Sequence, residues 1–568
     1  MNLVVTPCRS FHQIARAKSF FYALIALVLC FGGASSELAA QGLAPEVRGT
    51  WLTTTGPDHI SSGLNTETIL NQLDAIGINT AYVEAWKNGY TQFGSSTFED
   101  LTGFDRNPSL GSRSLLTETG IASLRNGQVQ IAWFEFGFSP EFVGNGGTPF
   151  SPMGRAARDN GWLLEDQNGQ FANASNGFAW MNPAVPEVRQ FLIDITLDAI
   201  RTHDLDGIQF DDRLAWPREF GWDATTAAIY LQETGRSLPN NVDDADFRAW
   251  RRSKVTQFAV ELTDAIRAER PDLHLSVSPS VIGFSDNNFN AKWSDWVEMG
   301  LFDEYIPQVY RSDLQAFRNT LPSNLQPFID EGRLDELVVG LRFNGTGADT
   351  PLSVVQQQII DAALAENGQL AGHSLFYSKG LIDNAAAMTS FYGNERDNPF
   401  FGPDWRPEAL VASPVRGGWQ VSIAEAEQYR VVAKIDGRWV EIETDVFDAD
   451  TYTFVVPGAT QVELLLDRRP ITGDTNFDRI VDETDLLTLS AFLGTQGGWQ
   501  DADFNYDGTV DLFDFDLLAQ HWQFGVDPGS FESLDAAVRR LGLTNIPEPG
   551  SLALLTCVGG ALVVRRRG

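Results

Sequence analysis

In the stretch LDGIQFDDRLAWP, residues 205–217, an apolar strand runs directly into two adjacent carboxylates. Ile208 and Phe210 alternate as in a buried strand, and the loop that follows begins at Asp211 and Asp212. Because successive strand residues point to opposite faces, only one of the two aspartates can point fully into a barrel mouth. A different interpretation is that one aspartate caps the loop and the other binds an arginine.

Similar strand-like runs alternate with helix-like ones between Pro45 and Asn398. This alternation favours parallel strands with covering helices. Eight such pairs over this length predict an α/β fold, a (β/α)8 barrel spanning residues 44–400, whose active site would lie at the carboxyl ends of the strands. The predicted strands are Val47–Thr55, Asn79–Trp86, Val129–Phe136, Gly207–Asp212, Leu273–Pro279, Tyr305–Arg311, Leu337–Phe343 and His373–Ser378.

The overall charge of the chain narrows the classes of partner. A formal net charge of −34, from 75 acidic and 41 basic residues, argues against binding to nucleic acid or to an anionic membrane. The cysteines Cys8, Cys30 and Cys557 all lie in terminal segments that are predicted to be removed. The mature chain would therefore have neither a disulfide framework nor a thiol for catalysis.

The predicted strand ends are rich in carboxylate and aromatic side chains. Paired carboxyl groups cleave glycosidic bonds, one as proton donor and one as nucleophile or base, and aromatic faces stack on sugar rings. The sequence has no histidine-rich metal set and no Gly-x-Ser-x-Gly turn, so metallohydrolase and serine esterase chemistry are not favoured, and catalysis would need no cofactor. The catalytic candidates are Asp211 or Asp212 together with Glu135, with Glu84 and Glu304 in reserve.

Other side chains at these strand ends are candidates for substrate binding. They are Glu84, Trp86, Trp133, Gln308 and Tyr310. A different class of function stays open, in which the barrel binds a glycan without cutting it and serves as a component of an envelope assembly. Turnover of a labelled glycan distinguishes the two classes.

Several segments occur in an order typical of one family: EVRGTWLT at 46–53, WFEFGF at 133–138, DGIQFDD at 206–212, IPQVYR at 306–311, and WMNP at 180–183 followed by EVR at 187–189. Together they resemble the glycosyl hydrolase-like family 10 domain. The resemblance implies a glycan-cleaving barrel of the bacterial envelope or a secreted one, with relatives linked to peptidoglycan glycans, and adds Asn182 to the substrate-binding candidates. Glu84 departs from the family, which commonly has an uncharged residue there. Glu84 is then either a substrate contact or, more in keeping with its position, an ion partner of Lys87 or Arg48.

Short strand-like runs follow the barrel between residues 405 and 468. The turn Asp436-Gly437 is a hairpin signal, and the pattern predicts a small β-sandwich similar to fibronectin-like modules. A spacer role that supports the barrel is favoured over sugar binding.

Two similar units then repeat over residues 473–524. Each places acidic or Asn side chains at loop positions 1, 3, 5, 9 and 12, the spacing that wraps Ca²⁺, ahead of an apolar helix. Gly508 fills the turn position of the second loop, where the first has Arg479, so the first loop is expected to bind more weakly. The duplication resembles a type I dockerin, which implies a cohesin-like partner, although a calcium-stabilised fold without a partner is an equal alternative. The predicted ligands are Asp474, Asn476, Asp478, Asp482, Asp485, Asp503, Asn505, Asp507, Asp511 and Asp514.

The two ends of the chain carry targeting patterns. Residues 1–41 have basic residues, the apolar run Phe20–Phe31 and then small residues, which predicts a secretory signal peptide. After a linker at 525–546, residues 547–568 combine Pro-Glu-Pro, the apolar run Leu552–Val564 and three arginines, and resemble the PEP-CTERM sorting signal, which implies processing by an exosortase-type enzyme. A plain C-terminal membrane anchor is the alternative. The expected location is the cell envelope or the extracellular space.

Overall fold

The computed structural model describes residues 44–54, 60, 63–345, 348–402, 410–422, 429–442, 451–466, 469–477, 480–505, 508–526 and 532–543. The predicted signal peptide and sorting signal lie outside these residues. Among the described helices, none combines the length and apolar character that crossing a membrane requires.

Eight parallel strands form the barrel, and they occur where the sequence predicts them. They are β1 (Val47–Leu52), β2 (Thr80–Glu84), β3 (Val129–Phe134), β4 (Gly207–Asp211), β5 (His274–Ser278), β6 (Glu304–Tyr305), β7 (Val338–Arg342) and β8 (Gly372–Phe376). In the sheet they run in the order β6-β5-β4-β3-β2-β1-β8-β7. Parallel bridges from Tyr305 to Leu337 and from Gln308 to Gly340 join the two outer strands, which closes the barrel. The predicted (β/α)8 fold is confirmed.

These strands are buried on both faces, which explains their nearly continuous apolar sequences. The polar side chains that point into the barrel hydrogen-bond one another. The indole of Trp51 donates to Gln209 (2.7 Å), and the amide of Gln209 donates to Ser276 (2.8 Å). Such internal pairing satisfies groups that would otherwise lose their hydrogen bonds to water.

Helices surround the barrel, and further helices lie in the segments inserted between its strands. The longest, Ala245–Glu269, begins at Asp244, whose side chain accepts a hydrogen bond from the backbone N–H of Phe247. The α-helices of the barrel region are Gly63–Ile76, Ser96–Thr102, Leu115–Asn126, Pro152–Asp159, Pro186–Thr202, Ala224–Thr234, Ala245–Glu269, Ile282–Phe289, Trp293–Met299, Leu314–Glu331, Leu352–Leu364, Ser378–Asp383 and Ala385–Tyr392.

Two antiparallel sheets follow the barrel and form the small β-sandwich. A four-stranded sheet contains Leu410–Val411, Ala459–Leu466, Tyr429–Ile435 and Arg438–Ile442, in that spatial order. A three-stranded sheet contains Ser413–Val415, Gly418–Ser422 and Thr451–Phe454.

The four-stranded sheet packs directly on the barrel. Val432, Trp439 and Leu465 form one apolar cluster with Ile121 and Leu124 of the helix Leu115–Asn126. Charged contacts border this cluster. They are the ion pairs Arg125–Glu463 (2.7 Å), Lys434–Glu67 (3.0 Å) and Arg430–Asp204 (3.4 Å). The sandwich is therefore fixed to the side of the barrel through a mixed apolar and charged interface.

The last module contains the helices Glu483–Phe492, Leu512–Gln520 and Leu534–Leu541. The first two each begin with an aspartate cap and a reciprocal acidic residue three positions later, Asp482 with Asp485 and Asp511 with Asp514. The third helix contributes Leu534 and Val538 to the same apolar core. Its position shows that the packed module extends beyond the duplicated loops.

Candidate active site at the barrel mouth

The carboxyl ends of three neighbouring strands bring four acidic side chains together. Glu84 ends β2, Glu135 follows β3, Asp211 ends β4 and Asp212 follows it. Since β2, β3 and β4 are adjacent in the sheet, these ends meet at one side of the barrel mouth.

Arg213 lies among three of these carboxylates. One guanidinium nitrogen lies 3.5 Å from Asp211, 3.6 Å from Asp212 and 3.9 Å from Glu135. The same nitrogen donates a hydrogen bond to the backbone carbonyl of Glu135 (3.1 Å). Arg213 therefore links the end of β4 to the end of β3. Sequence reasoning treated this arginine only as a partner for a structural aspartate.

Asp211 is the more deeply buried of the two adjacent aspartates, with 3% of the residue exposed. It accepts hydrogen bonds from the indole N–H of Trp133 (3.3 Å) and from the backbone N–H of Arg213 (3.1 Å). Burial raises the pKa of Asp211 well above its ordinary value, and the charge of Asp212 raises it further, although Arg213 opposes both. This environment favours the protonated acid.

Asp212 points in a different direction and is more accessible, with 23% of its side chain exposed. It accepts a hydrogen bond from the hydroxyl of Ser280 (3.1 Å). The two aspartates thus diverge, as the alternation of strand residues requires. Burial and then the charge of Asp212 raise the pKa of Tyr310 well above its ordinary value.

A buried ion-pair network occupies the other side of the site. The ammonium group of Lys87 contacts Glu84 and lies 2.8 Å from Glu135. It also donates to the hydroxyl of Thr53 (2.8 Å), which in turn donates to Glu84 (3.1 Å). Glu84 also accepts from the backbone N–H of Thr54. Of the two partners that the sequence suggests for Glu84, Lys87 is therefore the one it contacts, while Arg48 pairs with Glu46 elsewhere.

The pKa values of the two glutamates in this network are shifted in opposite directions. Burial, and then the negative charge of Glu135, raise the pKa of Glu84 to about 8 even though Lys87 lowers it. Burial also acts to raise the pKa of Glu135, but Lys87, a hydrogen bond from Glu84 and Arg213 together lower it below its ordinary value. The arrangement therefore holds Glu84 protonated and Glu135 ionised at neutral pH.

Three other predicted side chains lie close to this set. Trp133 is almost fully buried and hydrogen-bonds Asp211, so it positions a carboxylate. Tyr310 stacks on Phe376 with 5.6 Å between ring centroids and remains partly accessible. Gln308 is also partly accessible and donates to the backbone carbonyl of Ser278 (3.0 Å).

Two residues that the sequence suggests for substrate binding lie away from the site. Trp86 is fully buried against Phe98 and Phe191, so neither face of its indole can stack on a sugar. Asn182 is also fully buried, and its side chain holds the turn before the helix Pro186–Thr202 by accepting from Ala184 N and donating to Thr226. The burial of both side chains contradicts the expectation that either residue contacts substrate.

The reserve candidate Glu304 lies inside the barrel rather than at its mouth. It is 1% exposed, it accepts a hydrogen bond from the hydroxyl of Tyr82 (2.9 Å), and its carboxylate is 3.8 Å from His274. Glu304 pairs in register with Ser276, midway along β5. This depth separates Glu304 from the strand ends that carry the other carboxylates.

The duplicated loops of the last module have matching internal hydrogen bonds. The buried carboxylate of Asp485 accepts from the backbone N–H groups of Thr475 (2.7 Å) and Asp482 (2.9 Å). Asp514 accepts equivalently from Phe504 (2.8 Å) and Asp511 (2.8 Å). These bonds draw loop positions 2, 9 and 12 together.

The donor set of each loop consists of carboxylate and amide oxygens, which is the set that Ca²⁺ prefers. In the second loop the backbone N–H of Gly508 also donates to Asp503 (2.8 Å), which closes the turn around position 6. The donor chemistry of the two loops therefore suits Ca²⁺. Two predicted ligands, Asp478 and Asp507, lie outside the described residues, and among those described no three His, Cys, Asp or Glu residues are gathered as a metal site.

Several known proteins are similar to parts of this chain. Glycosyl hydrolase YngK of Bacillus subtilis (strain 168) is 24% identical over 149 residues, which are 23% of this chain and 28% of the relative. Glycosyl hydrolase DigH of Escherichia coli (strain K12) is 24% identical over 145 residues, 23% of this chain and 31% of the relative. The chain thus spans less than a third of the length of these curated relatives. The PgaB (BpsB) glycoside hydrolase domain from Bordetella bronchiseptica aligns with a TM-score of 0.46 and 13% identity, over 61% of this chain and 98% of that one.

Two family models match the chain directly. The type I dockerin domain matches residues 472–522, which contain both repeated loops. The model described as glycosyl hydrolase-like 10 matches residues 46–329, which is half of the chain and includes every carboxylate of the barrel mouth. The chain therefore belongs to the glycosyl hydrolase-like 10 family.

Proposed function

We propose that the protein is a glycoside hydrolase that cleaves a polysaccharide of the bacterial envelope or extracellular matrix, a peptidoglycan-type glycan being one candidate. The observation that carries this proposal is the pair Asp211 and Glu135, which flank one arginine and have opposite pKa shifts. Two carboxyl groups whose environments push their pKa values apart can act as acid and base at the same pH.

In this mechanism Asp211 is the proton donor. Its burial favours the protonated form, so it can protonate the oxygen of the leaving sugar as the glycosidic bond breaks. Glu135 remains ionised beside Lys87 and Arg213, and it acts either as the nucleophile or as the base that activates water. Arg213 keeps the two groups at one site because its guanidinium contacts both.

We further propose roles for the remaining segments. The dockerin domain would bind Ca²⁺ through its acidic loops and attach the enzyme to a cohesin-like partner, which its family match supports. Export through the N-terminal signal, followed by processing of the C-terminal sorting signal by an exosortase-type enzyme, would place the protein in the envelope or outside the cell. Neither role supplies a group to the hydrolytic step.

The experiment compares glycan turnover with glycan binding in the full chain. Purified wild-type protein and the variants Asp211→Asn and Glu135→Gln are incubated with labelled glycan strands. We expect each variant to lose about a hundredfold or more in turnover while it still binds the glycan. Asp330→Asn, an exposed change on the helix Leu314–Glu331, is the matched control and should keep wild-type turnover.

The outcomes distinguish the enzyme from a glycan-binding barrel. Wild-type protein that binds glycan without releasing fragments would establish the binding alternative. Asp212→Asn is a further test variant. The charge of Asp212 raises the pKa of Asp211, although Asp212 itself is more accessible to solvent. The change should shift the alkaline limb of the pH profile to lower pH.

A further inference from the structure

A row of phenylalanine rings leads from the carboxylates to the solvent. The ring of Phe178 lies 4.5 Å from the guanidinium carbon of Arg213, and Phe136 packs edge-on against Phe178 at 5.5 Å between centroids. On its other side Phe178 contacts Phe142 at 4.9 Å, again edge to face. Phe142 is 56% exposed. The guanidinium group of Arg213 therefore contacts both this row and the carboxylates of Asp211 and Glu135.

The two outer rings lie on a short two-stranded antiparallel sheet. Phe142 and Phe178 lie opposite each other in the antiparallel pair formed by Glu141–Phe142 and Phe178–Ala179. The backbone N–H of Phe142 donates to the side chain of Asn88 (3.0 Å), which directly follows Lys87 in the chain. Phe142 is therefore tied to the same loop that supplies the ammonium group of the site.

Further contacts fix the loop around Phe142. The carboxylate of Glu141 accepts hydrogen bonds from the backbone N–H groups of Phe150 (2.9 Å) and Ser151 (2.8 Å). A Cβ added at Gly177 would lie 2.8 Å from Cε2 of Phe142, so the ring packs directly against the backbone at Gly177, which leads into the opposite strand. The ring is accessible to solvent and yet has a defined position.

An exposed and fixed phenyl ring beside a polar cleft needs an explanation. A single exposed apolar side chain is ordinary, but this one continues an aromatic row that begins at the proposed catalytic groups. One face of a pyranose ring consists of C–H groups, and the negative face of an aromatic ring attracts such weakly positive hydrogens. The side chains of Asn88 and Asn176 border the two strands and can bind hydroxyl groups, which suits a sugar better than a lipid chain.

We propose that Phe142 and Phe178 form a subsite that stacks one pyranose ring of the glycan, beyond the sugar whose bond is cleaved. The inference rests on the proposed glycoside hydrolase function and extends it to a chain of several sugars. A subsite of this kind adds binding energy only for substrates long enough to reach it. It therefore makes the enzyme selective for polymers over short glycosides.

The test measures how the effect of Phe142 depends on substrate length. The probes are chito-oligosaccharides of two and six sugars and glycan strands from peptidoglycan stripped of peptides. In Phe142→Ala we expect kcat/KM to fall by about tenfold or more for the hexamer and the strands and to remain unchanged for the dimer. Phe142→Tyr should restore the wild-type value because it keeps the aromatic face.

Two further variants distinguish stacking from a general structural effect. Phe150→Ala removes another exposed ring, 71% accessible, from the same insertion and should leave all the values unchanged. Gly177→Ala displaces the ring of Phe142 without removing it and should reproduce the length-dependent loss. Equal losses in Phe142→Ala and Phe150→Ala, or a loss that is the same for every length, would overturn the subsite.

Binding to Asp211→Asn protein keeps this inference separate from the proposed activity. If wild-type protein cuts no probe but Phe142→Ala still weakens binding of the hexamer or the strands, the subsite stands and the hydrolase assignment fails. If hydrolysis occurs and Phe142→Ala has no effect on any probe, the subsite proposal fails and the hydrolase assignment stands. Wild-type protein that binds none of the probes also overturns the subsite.

Discussion

The ammonium nitrogen of Lys87 lies 2.8 Å from a carboxylate oxygen of Glu135, although the two residues follow different strands of the barrel. Both side chains are almost inaccessible to solvent, with 10% and 12% exposed, so salt screens this attraction weakly. The attraction offsets the burial that would otherwise raise the pKa of Glu135. Lys87 therefore controls whether Glu135 is ionised.

The first prediction concerns the effect of Lys87 on the pKa of Glu135. In Lys87→Met the pKa of Glu135 should rise, because burial remains and the largest favourable charge is gone. Since the proposed mechanism needs ionised Glu135, the acidic limb of the kcat/KM profile should move to higher pH. Lys379→Met, which removes a more exposed lysine paired with Asp383, is the control and should leave the profile in place. An unmoved acidic limb in Lys87→Met would show that Glu135 is not the ionised catalytic group.

The second prediction follows from the protonated Glu84. Its pKa is about 8 in the folded chain against 4.5 as the ordinary value, so the folded state holds a proton that the unfolded state releases. The stability from this proton is fully present below about pH 4.5 and is lost as the pH rises through about 8. Glu84→Gln should remove that decline, because glutamine does not titrate.

Urea unfolding across this pH range measures the effect. The wild-type free energy of unfolding should fall with increasing pH more steeply than that of Glu84→Gln. Glu298→Gln, an exposed change on the helix Trp293–Met299, should keep the wild-type dependence. Parallel curves for the wild type and Glu84→Gln would mean that Glu84 is ionised in the folded chain.

The barrel and the position of its carboxylates follow from simple patterns in the sequence. Apolar runs mark strands that are buried on both faces, and the carboxyl ends of parallel strands converge, so Glu135 and Asp211 come together. Arg213 could not be placed in the same way. Its position depends on contacts with Phe136 and Phe178, and Phe178 lies in an insertion whose path no local pattern reveals.

The residues that the structure removes from the site show the limits of the same patterns. Trp86 follows the end of β2, but its ring packs against Phe98 of the helix Ser96–Thr102 and Phe191 of the helix Pro186–Thr202. The family resemblance makes Asn182 a candidate for substrate binding, whereas its amide oxygen accepts a hydrogen bond within a buried turn. Both outcomes depend on tertiary packing between segments far apart in the sequence.

The third prediction tests the attachment of the β-sandwich. Trp439 is 7% exposed, donates its indole N–H to Glu67 (3.0 Å) and lies under the guanidinium of Arg125 (4.2 Å). Trp439→Ala should lower the free energy of unfolding by about 3–5 kcal/mol, as expected for loss of a buried aromatic side chain. Val440→Ala, the next residue on the same strand and 37% exposed, is the control and should change it by less than about 0.5 kcal/mol. Equal effects of the two changes would show that the sandwich is not held to the barrel through this face.

The fourth prediction concerns calcium. We expect the full chain, after treatment with a chelator, to bind two Ca²⁺ ions with different affinities. Gly508 adopts a φ of +83° in the second loop, a conformation that costs glycine little, whereas the first loop has Arg479 at the matching position. The second loop should therefore be the tighter site.

Isothermal titration calorimetry of single-loop variants assigns the two sites. Asp503→Ala should remove the tighter binding event and Asp474→Ala the weaker one, because each residue stands at position 1 of its loop. Asp516→Asn, on the helix Leu512–Gln520 but outside the loop spacing, should keep both events. Since metal binding is coupled to folding of such small modules, chelation should also make the Glu483–Phe492 and Leu512–Gln520 helices easier to cleave with protease. A wild-type chain that gives no heat on titration with Ca²⁺ would leave the acidic loops as folding elements alone.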